Sequence, residues 1–349
     1  MVRPISGGKA RSALARSVRW MRRRIAKRRY QRLHEDRLRD YEWALLNIKT
    51  LGYELARLLT NCQPRPVPTE APTAALRAKL CTQSDMESAW VSFWCAEVGV
   101  GPVYHRKIWE LCYIAQVLHS AGMLTAGRSG IGFGCGREPL PSLFAKYGCE
   151  VLATDLPRNT AAARGWAGQL ATGLIDVRRA EICSDQQKLD NIRFRYLDMN
   201  KIPEDLYGAF DFCWSSCALE HLGSLAQGAE FIEASLRVLK PQGMAVHTTE
   251  FNLSESGETL DGWDPVLFQR RHLTELADRL SAAGHTVAEL DFEAGDGVLD
   301  RFVDLPPWDT DAGRWSMPPA HLKVSISGYR CTSFGLFIRA APETPPPIR

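Results

Sequence analysis

The sequence predicts an α/β protein with a doubly wound, mostly parallel, seven-stranded sheet and an N-terminal helical extension. Seven short strand-like segments alternate with helix-like segments between residues 130 and 339, and such alternation produces parallel strands covered by helices on both faces. A glycine-rich turn follows the first of these strands. The chain is 45% hydrophobic and 24% charged, which is typical of a globular domain and excludes a disordered, collagenous or disulfide-stapled chain.

The strand candidates are short runs rich in β-branched and aromatic residues. They are Gly130–Phe133, Glu150–Thr154, Ile192–Leu197, Phe210–Ser215, Met244–Thr249, Thr286–Phe292 and Thr332–Arg339. The helix candidates are Ser84–Leu124, Pro139–Tyr147, Gly228–Leu239 and Leu267–Ala283. Because the carboxyl ends of parallel strands meet at one edge of the sheet, we expect the ligands at that edge.

Residues 1–61 are predicted to form a basic arm and a helix. The 349 residues carry a net charge of only +3, but residues 1–40 contain 14 Lys and Arg against three acidic residues, a net +11, and leave the rest at −8. Apolar residues three and four apart give residues 38–59 a coiled-coil-like seam, which indicates possible self-association; they are Leu38, Tyr41, Leu45, Ile48, Leu55 and Leu59. Four prolines predict a linker over residues 62–74, before a packed domain at 75–341 and a Pro-rich tail at 342–349.

The basic arm allows several interpretations. It could be a solvated tail or a transit peptide. It could also bind anionic lipid headgroups with the help of Trp20, Ile25 and Tyr30, or, as a less favoured alternative, nucleic acid.

No run approaches the roughly 20 apolar residues of a membrane span. The ten cysteines include no CxxC pair, and the closest pair, Cys213 and Cys217, is interpreted as buried free thiols. We therefore expect a cytoplasmic protein, peripheral to the inner membrane face if the arm binds lipid.

The glycine-rich turn, Gly130-Ile-Gly132-Phe-Gly134-Cys-Gly136, fits neither common nucleotide motif. A dinucleotide fingerprint needs a third glycine, and Arg137 or Pro139 stands there in the two possible registers. A P-loop needs Gly-Lys-Ser/Thr at its end, which is missing. The turn nevertheless lets the backbone approach a ligand closely.

Several motifs in order resemble class I S-adenosylmethionine-dependent methyltransferases over residues 81–340. They are the GxGxG turn, Val151-Leu-Ala-Thr-Asp155, Arg195-Tyr-Leu-Asp198-Met199, Phe210-Asp-Phe-Cys-Trp-Ser215 with Ala218-Leu-Glu220-His221, and Leu239-Lys-Pro-Gln-Gly243. The domain is also similar to uncharacterised bacterial methyltransferases associated with polysaccharide gene sets. This resemblance implies the class I methyltransferase fold and S-adenosylmethionine as cofactor.

The resemblance also implies roles for particular residues. Asp155 would bind the ribose hydroxyls, and Asp198 and Met199 would contact the adenine. The family often has an acidic residue where this chain has Gly132, so Glu138 is expected to hold the cofactor's ammonium, unless it only caps the following helix. The cofactor-binding residues expected in all are Gly132, Gly134, Gly136, Glu138, Asp155, Leu156, Asp198, Met199 and Ser215. The run His105-Arg106-Lys107-Ile-Trp109-Glu110 could close over the methionine carboxylate, or it could be a solvated helix face.

The methyl acceptor is expected beyond the fourth and fifth predicted strands. Ser215-Ser-Cys-Ala218 replaces the Asn/Asp-Pro-Pro-Tyr/Phe of enzymes that methylate nucleobase or glutamine nitrogens, which favours a hydroxyl acceptor. A hydroxyl needs a base, and the candidates are His221, Glu250 and His247. A divalent metal on Glu220, His221 and Glu250 is conceivable, but the spacing is not diagnostic, so we predict none.

Three tryptophans in Pro-, Gly- and Asp-rich segments, Trp263, Trp308 and Trp315, suit the apolar face of a sugar ring. The leading hypothesis is therefore methyl transfer to a hydroxyl of a saccharide or another small-molecule acceptor. The alternatives are an RNA methyltransferase that uses the basic arm and a non-catalytic S-adenosylmethionine-binding scaffold. The RNA methyltransferase predicts RNA binding that weakens steeply as the salt concentration rises. The scaffold predicts that no methylated product forms.

Overall fold

The structure, a computed structural model, describes residues 7–62, 66–101, 103–159, 168–254, 257–262, 265–308 and 320–342. The chain divides into two compact units, residues 1–52 and 53–349. The second unit begins earlier than the boundary predicted at residue 75. Within it, the Tyr53 hydroxyl donates to Asp304 Oδ2 at 3.1 Å, and Gln116 Nε2 donates to the carbonyl of Pro72 at 2.9 Å. Within the predicted linker, residues 66–74 form neither helix nor strand, and the carbonyl of Pro72 is held by a side chain of the domain.

The described residues of the first unit, 7–52, belong to one helix, α1 (Gly7–Cys62), which begins far before the predicted seam and continues through Gly52. Large apolar side chains of this unit are exposed, among them Trp20, Tyr30, Leu38, Tyr41 and Ile48. Ile25, a residue of the proposed lipid patch, lies outside the residues whose side chains are described. Among the described residues, no helix combines the length and the apolar character that crossing a membrane requires.

The second unit alternates strands and helices. In chain order its elements are β1 (Ala78–Leu80), α2 (Gln83–Met86), α3 (Ala89–Glu97), α4 (Arg106–Ser120), β2 (Ser129–Phe133), α5 (Leu140–Lys146), β3 (Glu150–Asp155), α6 (Leu174–Val177), α7 (Gln186–Leu189), β4 (Ile192–Tyr196), β5 (Phe210–Ser216), α8 (Leu225–Ser235), β6 (Leu239–Asn252), α9 (Arg270–Ala282), β7 (Thr286–Val287), β8 (Leu290–Asp291), α10 (Val298–Arg301), β9 (Val303–Asp304), β10 (Lys323–Ile326) and β11 (Tyr329–Arg339). Short 3₁₀ helices lie at Glu204–Leu206, Leu219–His221 and Leu236–Val238.

The strands form one mixed sheet in the order β4-β3-β2-β5-β6-β11-β1-β8. The five neighbouring strands β4, β3, β2, β5 and β6 run parallel to one another. Strand β11 runs antiparallel to β6, β7 and β1. Strand β10 also pairs with β11, and β9 with β10. The predicted α/β class with a mostly parallel seven-stranded core is confirmed, and the described sheet is larger by short added strands. The strand predicted over residues 286–292 is in fact two, because β7 pairs with β11 whereas β8 pairs with β1.

Helices cover both faces of the parallel strands, which explains their continuous apolar sequences. Alternate residues of β5 serve opposite faces: the rings of Phe212 and Trp214 pack on Phe144 of α5, while Cys213 Sγ points to the carbonyl of Ser235 on α8. The helix predicted over residues 84–124 is in fact α2, α3 and α4. It breaks because Ser88 caps α3 and His105 caps α4.

Candidate active site

The glycine-rich turn leaves β2 with two residues in the left-handed region. Gly134 has φ +61° and Gly136 has φ +50°, a conformation that favours glycine. A Cβ on Gly134 would lie 2.8 Å from Ala218 Cβ and 3.3 Å from Met199 Sδ. The predicted cofactor residues Gly134 and Met199 therefore lie close together, beside the end of β5.

Asp155 ends β3 next to this turn. Its Oδ2 accepts the N–H groups of Gly136 (3.0 Å) and Ala171 (2.7 Å), and its Oδ1 accepts that of Leu156 (2.7 Å). Burial raises the pKa of Asp155, and these three hydrogen bonds oppose that rise. A carboxylate has about four acceptor positions, so one remains for a ribose hydroxyl. A second hydroxyl would have to replace a backbone donor such as Ala171.

Asp198 and Met199 follow β4 at the same edge of the sheet. Asp198 is half-buried, and its Oδ1 accepts the N–H of Asn200 at 3.0 Å. Met199 is buried, and Leu156, directly after Asp155, is half-buried. The structure thus brings Asp155, Leu156, Asp198 and Met199 together with the turn, as predicted from sequence.

Glu138 lies at the far end of the turn and binds the indole of Trp214. The Trp214 Nε1 donates to Glu138 Oε1 at 2.6 Å, and burial raises the pKa of Glu138 to about 8. Pro139 begins α5 without a side-chain capping bond. A Cβ on Gly132 would meet the Trp214 ring at 2.3 Å. An acidic side chain at position 132 is therefore excluded by Trp214, which instead fixes the carboxylate of Glu138.

Ser215 and His247 lie away from this group. Ser215 Oγ is 2.8 Å from His247 Nδ1, and Ser235 Oγ is 3.1 Å from His247 Nε2. His247 is buried against Phe231, and burial lowers its pKa to about 3. Because β6 continues to Asn252, His247 and Glu250 occupy opposite faces of the strand. The structure does not bring His247 or the Ser215 side chain together with the other predicted residues.

Glu250 lies in a buried group of charges at the ends of β5 and β6. Its Oε1 forms ion pairs with Arg106 and with Lys107, the latter at 3.4 Å, whereas its Oε2 has no hydrogen-bond partner among the described residues. Burial would raise the pKa of Glu250, but the two cations outweigh it and lower the pKa. Arg106 and Lys107, considered from sequence as a clamp for the methionine carboxylate, are paired with Glu250.

Glu110 of α4 belongs to this group, although the sequence named it only within the run His105–Glu110 considered for the methionine carboxylate. It is fully buried. Its Oε1 accepts the hydroxyl of Ser333 and lies 3.0 Å from Cys217 Sγ, and its Oε2 accepts the hydroxyl of Thr248 at 3.3 Å. Its position four residues after Arg106 is the sequence signal for an ion pair between the two. Its other partners lie at or after three distant strands, β5, β6 and β11.

Glu220 and His221 form the short helix after β5. Glu220 is fully buried; its Oε2 accepts the Thr249 hydroxyl at 3.4 Å, and its Oε1 has no hydrogen-bond partner among the described residues. Burial raises the pKa of Glu220, opposed by the charges of His221 and Lys107. His221 also interacts electrostatically with Glu250. The predicted bases His221 and Glu250 are therefore neighbours.

Cys217 completes the group. Its φ of +44° is unusual for a residue other than glycine. The ligand atoms of Cys217, Glu220 and Glu250, one from each residue, lie within 4.8 Å of one another. The sequence considered Glu220, His221 and Glu250 for a metal, so Cys217 stands here in place of His221.

The tryptophans predicted to face a sugar are described only in part. Trp308 is partly exposed, and its indole N–H donates to the carbonyl of Asp304 at 3.2 Å. Trp263 and Trp315 lie outside the described residues. The structure thus shows one of the three rings, at the edge of His321.

Comparisons with known proteins agree with this geometry. Residues 131–247, which contain the glycine-rich turn and strands β3 to β5, match the family described as "Methyltransferase domain". No curated protein matches the chain.

Solved structures similar to the chain include methyltransferases of three organisms. An S-adenosylmethionine-dependent methyltransferase from Aquifex aeolicus is 15% identical, with 65% of this chain and 89% of that chain covered and a TM-score of 0.35. One from Mesorhizobium loti is also 15% identical, with 64% and 95% covered and a TM-score of 0.34. A phosphoethanolamine N-methyltransferase from Haemonchus contortus is 14% identical, with 66% and 52% covered and a TM-score of 0.38.

The residues at the edge of the sheet fit the predicted cofactor. Two left-handed glycines let the backbone of the turn pass close to Met199, and Glu138, Asp155 and Asp198 follow β2, β3 and β4 at the same edge of the sheet. Glu138 suits an ammonium, Asp198 suits an adenine amine, and Asp155 has one acceptor position left for a ribose hydroxyl. Residues 131–247 match a methyltransferase domain, and the protein is a methyltransferase that uses S-adenosylmethionine.

Proposed function

We propose that the enzyme methylates a hydroxyl group of a saccharide or another small hydroxylated acceptor. The observation that carries this proposal is the group formed by half-buried His221 and buried Glu220 and Glu250 beyond β5 and β6. Both carboxylates keep an oxygen without a hydrogen-bond partner among the described residues. Buried carboxylate oxygens need donors or cations. Acceptor hydroxyl groups supply donors.

Each residue of this group has a distinct part in the proposed reaction. When bound, S-adenosylmethionine supplies an electrophilic methyl group on a sulfonium. Glu250, fixed through Oε1 by Arg106 and Lys107, presents Oε2 to a hydroxyl of the acceptor. His221 takes the proton of the hydroxyl whose oxygen forms the new C–O bond, while the C–S bond breaks. Ala218, beside Gly134, joins this group to the cofactor turn.

The test is methylation of an acceptor panel with labelled cofactor, followed by mass spectrometry of the products. We expect labelled methyl ethers on hydroxylated acceptors, and a fall in kcat of roughly 10²- to 10⁴-fold in His221→Ala with little change in cofactor affinity. Glu204→Gln, at an exposed position away from the site, is the matched control and should retain wild-type kcat. Products methylated only on amines or RNA, or no product at all, would contradict the proposal.

The arm carries a second proposal, that it holds the enzyme at an anionic membrane surface. Exposed Trp20, Met21 and Tyr30 lie among exposed basic residues of α1, including Arg23 and Lys27, and residues 1–40 have a net charge of +11. Aromatic and basic side chains together favour anionic headgroups. RNA is the competing partner. The exposed seam residues Leu38, Tyr41 and Ile48 keep self-association as a further proposal, whereas Leu55 and Leu59 pack against the core.

A further inference from the structure

The buried carboxylates near β5 and β6 outnumber the cationic side chains that contact them. Three buried carboxyl groups, those of Glu110, Glu220 and Glu250, share two cations in ion-pair contact, Arg106 and Lys107, and burial raises the pKa of Glu220, opposed by the charges of His221 and Lys107. Both cations bind Glu110 and Glu250 and are not paired with Glu220 within ion-pair distance among the described residues. An excess of buried negative charge is costly unless a cation compensates it.

Two carboxylate oxygens in this group are buried without a hydrogen-bond partner among the residues that the structure describes, Glu220 Oε1 and Glu250 Oε2. Glu220 is 0% and Glu250 4% exposed. The pairing of Glu250 Oε1 with Arg106 and Lys107 leaves the other oxygen available. A hydrogen-bonding partner or a cation is therefore needed beside both carboxylates.

The third member, Cys217, decides what kind of cation fits. One ligand atom from each of Cys217, Glu220 and Glu250 lies within 4.8 Å of the others. In a tetrahedral zinc site with bonds of about 2.3 Å to sulfur and about 2.1 Å to oxygen, sulfur and oxygen ligands are about 3.6 Å apart, so a small inward movement would close the site. A thiolate with two carboxylates suits zinc better than magnesium or calcium.

We propose that Cys217, Glu220 and Glu250 bind one divalent zinc-like cation at the acceptor end of the active site. On binding, the thiol proton of Cys217 goes to solvent and the sulfur binds as thiolate. The thiolate and the divalent charge together offset the negative excess of the group. Three protein ligands leave a fourth position, which a hydroxyl oxygen of the acceptor fits. Cation binding itself does not rest on the proposed hydroxyl acceptor.

The test is titration of the chelator-treated full-length protein with Co²⁺, without cofactor or acceptor. We expect one Co²⁺ per chain and a near-ultraviolet thiolate-to-cobalt absorption band. Cys217→Ser should lose that band, and Glu220→Gln should weaken binding by at least about 100-fold, since even outer partners of metal ligands cost about 10- to 100-fold. Cys213→Ala, which removes a buried thiol of β5 whose Sγ points to the carbonyl of Ser235, is the control and should keep the band.

A second measurement uses the unmodified chain in case a variant does not fold. Iodoacetamide should alkylate Cys217 more slowly in the presence of Zn²⁺, while exposed Cys62 reacts equally with and without it. Absence of the thiolate band, a band that survives Cys217→Ser, or alkylation of Cys217 unaffected by Zn²⁺ would overturn the proposal. A failed acceptor screen with an intact band would contradict only the proposed function.

Discussion

Gly132, Trp214 and Glu138 form one packed unit at the end of β2. The indole of Trp214 fills the space that a side chain at position 132 would need, and its N–H binds Glu138. We propose that Glu138, at the end of the turn, supplies the carboxylate for the cofactor's ammonium. Trp214 acts as a positioning residue, since it sets the place of the carboxylate.

The buried position of Glu138 makes cofactor affinity depend on pH. Burial raises its pKa to about 8, so the carboxyl is mostly protonated below pH 8 and must lose a proton to bind an ammonium. We expect the ratio of wild-type to Glu138→Gln affinity for S-adenosylmethionine to rise up to about tenfold per pH unit between pH 6 and 8, and then to level off. Calorimetry of both proteins measures it, and a ratio independent of pH would refute the assignment. Comparing the two proteins cancels the ligand's own titration.

At the scale of elements, the basic arm is the feature with the clearest separable effect. Substituting Arg23, Arg24 and Lys27 with Gln removes three charges from exposed positions of α1. Each basic residue near an anionic surface contributes about 1 kcal/mol, so we expect roughly 100-fold weaker binding to vesicles with anionic lipid and unchanged methyl transfer to a soluble acceptor. Vesicle sedimentation measures it. Binding of the wild-type protein to neutral vesicles as strong as its binding to anionic vesicles would contradict the lipid proposal. Loss of activity on RNA in the variant would also contradict it.

The sequence predicted the alternating strands and helices of the parallel sheet better than the short added strands and the helices before β2. Strands β2 to β6 and helices α5, α8 and α9 lie within a few residues of their predicted positions, because alternation and apolar spacing are local signals. Two-residue strands such as β7 and β8 leave no such signal, since their pairing with β11 and β1 is decided by distant chain.

The candidate site shows the same contrast between local signals and contacts with distant parts of the chain. Asp155 and Asp198 could be predicted because strand ends mark their positions. Glu110 and Cys217 could not, because their meeting depends on how α4 packs across the ends of β5 and β6. His247 was chosen for its residue type, but its ring nitrogens are held by Ser215 and Ser235.

For the whole molecule, acid stability depends on an ion group at the opposite edge of the sheet. Asp211 of β5 accepts Arg128 (2.7 Å), Lys240 (2.8 Å) and the N–H of Ser129 (2.9 Å). Burial would raise its pKa, but the bonds from Lys240, Ser129 and Arg128 outweigh it and hold the pKa well below its usual range. This group joins β2, β5 and β6 at their beginnings.

The sign of the effect follows from the lowered pKa. Asp211 contributes stability above its unfolded pKa of about 3.9 and loses it as the pH falls toward the folded pKa. We expect Asp211→Asn to lower the free energy of unfolding by roughly 2 kcal/mol at pH 7 and by much less at pH 2. Urea denaturation at both values measures this. An equal loss at the two pH values would show that packing, and not charge, stabilises the group.

The position of β1 has a consequence for how the protein is made. This early strand pairs with β11, which lies near the opposite end of the described chain, and Tyr53 bonds Asp304 across 251 residues. Such non-local pairings form slowly. During synthesis on the ribosome, β1 has no partner strand until almost the whole domain has emerged, so its edge stays exposed to other chains and to chaperones. Residues 131–247, although they carry the methyltransferase match, are therefore a piece of a folding unit that closes only when its last strand arrives.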